Sequence, residues 1–109
     1  MTNKETIEFS TQTIRKVFKD AGNPAVNIVL FGSRSRGNAE ADSDWDFLVC
    51  TKNEMSFPEK VILSSKVQTK LAEKHISADI IIKSEIQVAK ERENVGVITY
   101  YALRDGVPL

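Results

Sequence analysis

Phe31-Gly32-Ser33-Arg34-Ser35-Arg36-Gly37-Asn38-Ala39-Glu40-Ala41-Asp42-Ser43-Asp44-Trp45-Asp46-Phe47-Leu48-Val49 decides how the rest of the chain is read. An apolar run from Asn27 to Phe31 stops at a Gly-Ser pair, ten residues follow from Arg34 to Ser43, and Asp44-Trp45-Asp46 opens a second apolar run. The pattern predicts strand, tight turn, short helix, polar loop and strand. Gly32 lets the backbone bend sharply and lets a ligand come close. Ser33 brings a hydroxyl to a helix start whose amides point outward, an arrangement that holds phosphate. Asp44 and Asp46 stand two apart on a predicted strand, so their carboxylates share a face and supply the hard oxygen ligands that Mg²⁺ takes. A phosphate cradle beside a divalent-cation site points to nucleotide phosphate chemistry.

Outward from this stretch, Val26 to Phe31 reads as a central strand, apolar on both sides. Ser33 to Arg36 reads as a short helix or turn, and Gly37 to Ser43 as a polar loop. The second strand is expected from about Asp44 to Thr51. Asp44, Asp46 and Leu48 are set toward a cleft, and Trp45, Phe47 and Val49 toward a helical core. Upstream, Thr2 and Glu5 have capping-box spacing, and Ile7, Ile14, Val17, Phe18 and Ala21 share a helical face that should end at Gly22. Downstream, Ser56 and Glu59 form a second box before a helix reaching about Lys74, with Leu63, Val67 and Leu71 inward. Its Lys66, Lys70 and Lys74 stripe reads as a solvated face.

Ala78 to Ile82 reads as the third strand, and the isoleucines around Asp79 place that carboxylate near the sheet interior, where it needs a metal, a cation or hydrogen bonds. Ser84 and Gln87 make a third box, and Gly96 splits the next segment into a helix to about Glu91 and another from Val95 to Arg104. Val107 to Leu109 is a candidate edge strand limited by Pro108. Helices and strands in this order imply one small sheet with helices packed over it, α/β or α+β in class. Strand directions stay open.

The chain has 109 residues and is expected to form a single domain over residues 1–109. Its 15 basic residues are matched by 15 acidic ones, which disfavours bulk nucleic-acid binding. A lone cysteine, Cys50, excludes an internal disulfide and a cysteine-rich zinc site. No signal-peptide core and no apolar run of membrane-spanning length stand out, so a cytoplasmic protein without membrane contact is the expectation.

Gly32-Ser33, the ten-residue connection, Asp44-x-Asp46 and the later strand carboxylate Asp79 resemble the DNA polymerase β-like nucleotidyltransferase superfamily. The layout is similar to its minimal nucleotidyltransferase (MNT) branch. The motifs cover about Val26 to Val49 and Ala78 to Ile82, and the order of elements fits nearly the whole chain. The resemblance implies a small mixed sheet and transfer of a nucleoside monophosphate, AMP from ATP, to a hydroxyl with release of pyrophosphate. It implies that Gly32 and Ser33 hold the terminal phosphates, that Asp44 and Asp46 hold two Mg²⁺ ions, and that Asp79 holds the catalytic ion and helps to deprotonate the attacking hydroxyl. Arg34 and Arg36 are candidate phosphate contacts, with a solvated loop charge as the alternative. Small MNT proteins commonly act with a helical HEPN partner as the antitoxin of a toxin–antitoxin pair and can adenylylate it. Transfer to a small molecule, as in aminoglycoside nucleotidyltransferases, and a non-catalytic partner-binding module are the alternatives.

Overall fold

A computed structural model of the chain describes residues 1–37, 40 and 42–109. The expected polar loop over Gly37 to Ser43 therefore lies partly outside the described residues, at Asn38, Ala39 and Ala41. In chain order the elements are α1 (Asn3–Asp20), β1 (Ala25–Phe31), α2 (Ser33–Arg36), β2 (Trp45–Thr51), α3 (Phe57–Ala72), β3 (Ala78–Ser84), α4 (Glu85–Glu91), α5 (Ile98–Asp105) and β4 (Val107–Pro108). The strands form one mixed sheet ordered β3-β2-β1-β4. β1 is antiparallel to both of its neighbours, while β2 and β3 run parallel. Among the described residues, no helix is long and apolar enough to cross a membrane.

Period-two alternation divides the sheet into two faces. Trp45, Phe47 and Val49 of β2 join Ile28 and Leu30 of β1 and Ala78 and Ile82 of β3 on one face. Ile14, Val17 and Phe18 of α1 and Leu63, Val67 and Leu71 of α3 cover it. On the other face Val29 and Leu48 pack with Ala102 of α5, flanked by Phe31, Ile81 and Leu103. All three expected capping boxes form: Thr2 with Glu5, Ser56 with Glu59, and Ser84 with Gln87 each exchange reciprocal hydrogen bonds. The free edge of β3 is covered by α3, where Gln68 Nε2 donates to the Ala78 carbonyl at 2.9 Å and Ser64 Oγ to that of Ile80 at 3.5 Å. That leaves this edge poorly suited to pairing with another strand.

Several boundaries differ from the sequence expectation, each for a local reason. α3 stops at Ala72 because the Lys74 and Ile76 amides both turn back to the Leu71 carbonyl, at 3.0 Å each, and His75 takes a left-handed φ of 60°. The reversal drives Ile76 into the core. α5 begins at Ile98 rather than Val95, since the Asn94 side chain accepts from the Gly96 amide and holds that segment in a turn. Asp79 is corrected more substantially. It lies on the edge strand and is exposed, not in the sheet interior, because its side chain points to the face that α3 does not cover.

Gly106 joins α5 to β4 where a side chain has no room. A Cβ there would run into the Ala102 carbonyl, Val29 Cγ1 and the Leu30 carbonyl. Gly106→Ala should therefore prise α5 and β4 from β1, at about 1–3 kcal/mol of stability as expected for overpacking. Urea unfolding of the variant beside wild type measures the loss.

Candidate active site

The sheet register builds the site. Phe31 of β1 stands opposite Asp46 of β2, and Asp46 stands opposite Asp79 of β3. The Gly32-Ser33 turn leaves β1 at the end of this row, and Asp44 lies one residue before β2 at the same end. Gly32 has φ 75° and ψ −163°, a conformation essentially reserved for glycine. A Cβ on Gly32 would overlap the Asp46 carboxylate, so the turn passes directly against that side chain. Close backbone approach and positive φ thus require the same residue.

Asp46 is half-buried, and its carboxyl titrates above the ordinary range. Burial is the largest cause, followed by the negative charges of Asp79 and Asp44, while the Arg36 cation acts in the opposite direction. The three carboxylates therefore act electrostatically on one point. Among the described residues, no three His, Cys, Asp or Glu side chains are gathered tightly enough to cage a metal ion by themselves. The donor chemistry nonetheless suits a hard divalent cation whose coordination is completed by substrate phosphates and water.

Around the carboxylates the predicted residues divide. Ser33 is half-buried in the first position of α2, and its hydroxyl makes no hydrogen bond among the described residues. The neighbouring Ser35 hydroxyl instead donates to the Gly32 carbonyl at 2.7 Å and fastens the turn. Arg36 is exposed, and its charge acts on Asp46 and also on Asp105 at the end of α5. Arg34 takes another course. Its guanidinium lies 4.6 Å from the Trp45 ring centroid, and its Nε and Nη2 donate to the Ser43 carbonyl at 3.1 and 2.9 Å. Trp45 belongs to the helix-covered face, so these contacts tie Arg34 to the fold at the start of β2.

Two features had no clear signal in the sequence. The Ser77 hydroxyl donates to Asp44 Oδ1 at 2.6 Å, although Ser77 reads only as a loop residue before a strand. The proximity of Gly32 to Asp46 follows from strand pairing, which a motif spacing does not express. Cys50 is buried on β2 with its thiol pushed up, first by burial and then by Glu85, an environment that suppresses thiolate reactivity.

A mixed sheet whose Gly-Ser turn meets a D-x-D strand and a third strand carboxylate defines a nucleotidyltransferase domain. The family model described as "Polymerase beta, Nucleotidyltransferase" matches residues 12–109, and the chain belongs to that family as a minimal nucleotidyltransferase domain. Among solved structures, one described as a minimal nucleotidyltransferase is similar at a TM-score of 0.65 and 25% identity, over 100% of this chain and 97% of that one. A toxin–antitoxin structure with AMP-PNP is similar at 0.60 and 22% identity, over 89% of this chain and 69% of that one. A mutant form of the toxin–antitoxin MntA-HpeT is similar at 0.62 and 22% identity, over 91% and 70%. No curated protein gives a significant match.

The raised Asp46 titration has a signed consequence for stability. Between the ordinary carboxylate pKa of about 3.9 and the higher native value, the folded state holds more protons than the unfolded one. Stability is therefore highest below that window and falls as pH rises through it. Asp46→Asn lacks this penalty. Without divalent cations the variant should be more stable than wild type at neutral pH, with the difference closing in acid. Paired urea titrations from about pH 4 to about pH 8 read the convergence.

Proposed function

We propose that this nucleotidyltransferase moves AMP from Mg²⁺-bound ATP to a hydroxyl on a helical HEPN-type partner protein, as the antitoxin of a toxin–antitoxin pair. The observation that carries the reading is the half-buried Asp46, set between Asp44 and Asp79 and pressed against the Gly32-Ser33 turn. That arrangement concentrates negative charge where a divalent cation would neutralise it, beside a Ser33 hydroxyl that has no partner among the described residues and suits a phosphate oxygen. The likeness to toxin–antitoxin structures, one holding an ATP analogue, supports the choice of nucleotide and acceptor.

In this reading Ser33 and the backbone of its turn receive the β- and γ-phosphates, and exposed Arg36 adds positive charge at the same end. Asp44, Asp46 and Asp79 would hold two Mg²⁺ ions. Bound there, Mg²⁺ supplies charge neutralisation of the phosphates and lowers the pKa of the attacking hydroxyl. The acceptor oxygen forms a bond to the α-phosphorus as the bond to the bridging oxygen breaks, and pyrophosphate carries away that electron pair. Asp79, exposed at the sheet edge, takes the hydroxyl proton. With Gly32-Ser33 beside β1 and Asp79 on β3, this reading has the phosphates at the β1 side of the acidic row and the acceptor approaching from the β3 side.

Label transfer from α-labelled ATP to the partner tests the reading. The double variant Asp44→Asn, Asp46→Asn should stay folded and lose transfer by several orders of magnitude. Transfer that survives in the variant would refute the carboxylate site. Partner neutralisation by a wild type that never transfers label would favour a binding module. Ser33→Ala should weaken ATP binding by about 1–2 kcal/mol, as for a hydrogen bond to a charged group, and calorimetry reads the change.

A further inference from the structure

Ser77 grips two consecutive residues at the mouth of β2. Its hydroxyl donates to Asp44 Oδ1 at 2.6 Å, and its carbonyl accepts from the Trp45 amide at 2.9 Å. Asp44 needs such a partner more than the other two carboxylates do. Asp46 and Asp79 sit within paired strands, whereas Asp44 lies outside β2 and is exposed. Among the described residues, no second hydrogen bond or ion pair reaches the Asp44 carboxylate. An aspartate in that setting samples several rotamers, and a donor at 2.6 Å selects one of them.

The donor is itself well placed. The α3–β3 connection is a tight reversal in which the Lys74 and Ile76 amides share the Leu71 carbonyl, the His75 amide bonds the Ala72 carbonyl at 2.9 Å, and His75 adopts its left-handed φ. Ile76, only 6% exposed, anchors the next position in the core. Ser77 thus leaves a fixed helix end, and the strained conformation of His75 is part of what aims it.

We infer that Ser77 is a positioning residue for the divalent cation. It occupies Asp44 Oδ1 and leaves Oδ2 without an intramolecular partner among the described residues, as the oxygen to be offered to the ion. This rests on the reading of the carboxylates as a cation site. A hydroxyl in this relation to a ligating carboxylate orients it without touching the ion, and loss of such outer partners typically weakens metal affinity by about 10–100-fold.

The test uses the full chain with Mn²⁺ as probe, in the presence of a non-hydrolysable ATP analogue, with free Mn²⁺ counted by electron paramagnetic resonance. Ser77→Ala should bind Mn²⁺ about tenfold more weakly than wild type, and Ser77→Thr, which keeps the hydroxyl, should bind nearly as wild type does. The metal-free melting temperature of both variants should stay near wild type, because the Ser77 side chain is exposed and the carbonyl bond to Trp45 survives either change. Unchanged Mn²⁺ affinity in Ser77→Ala overturns the inference while leaving the carboxylate site standing. Tighter binding overturns it too, since the hydroxyl would then compete with the ion for Asp44. Weak binding that Ser77→Thr does not restore, with a lowered melting temperature, assigns the residue to folding alone and also overturns it. A folded wild type that takes up no Mn²⁺ with the analogue refutes the cation site and this inference together.

Discussion

The parallel pairing of β2 with β3 sets Asp46 directly beside Asp79, and much of the molecule is arranged around that contact. Two carboxylates on neighbouring strands repel, and Asp44 adds a third negative charge to the same end. Among the described residues, the Arg36 cation is the charge that relieves the repulsion at Asp46. The register holds because a slip of one residue would carry Trp45, Phe47 and Val49 off the helical core and Leu48 off α5. Hydrophobic alternation on the two faces therefore fixes an arrangement that electrostatics alone would reject.

The same register explains the glycine at the turn. With Phe31 opposite Asp46, the next residue of β1 must leave the sheet alongside the carboxylate, and only a residue without Cβ can do so. The turn and the acidic row are thus one steric unit. Moving the Gly32-Ser33 turn away from Asp46 would relieve the crowding and would also separate the turn from the acidic row.

Much of this is legible in the chain because the signals are local. Capping boxes at Thr2, Ser56 and Ser84 are short-range chemistry, and all three form. The alternation of β2 correctly assigns Trp45, Phe47 and Val49 to the helical core. For Asp79 the sequence is right about the strand and wrong about depth. Isoleucine neighbours describe a strand that has an apolar side, and they do not say whether that strand is central or at an edge. The contacts of Arg34 escape for a related reason. Its partners are the Trp45 ring and the Ser43 carbonyl, and the loop that brings them together carries no periodic signal. Ser77 meets Asp44 across 33 positions of chain, through a strand pairing whose direction the sequence leaves open.

The fasteners that have no sequence signal converge on one place. Arg34 holds the Ser43 carbonyl and covers Trp45, while Ser77 holds the Asp44 carboxylate and the Trp45 amide. Asp46, one residue further, is held by ladder pairing on both sides. The D-x-D segment thus changes its means of support between its two carboxylates. A strand can position a residue inside it through backbone bonds alone, but the residue just before it must be held by side chains. Asp44 sits there, on the Asp46 side and clear of the ladder, so its carboxylate is aimed by the Ser77 hydroxyl rather than by strand pairing. The two carboxylates of one short segment therefore face the same end of the sheet under independent control, one through the backbone ladder and one through a side-chain hydroxyl.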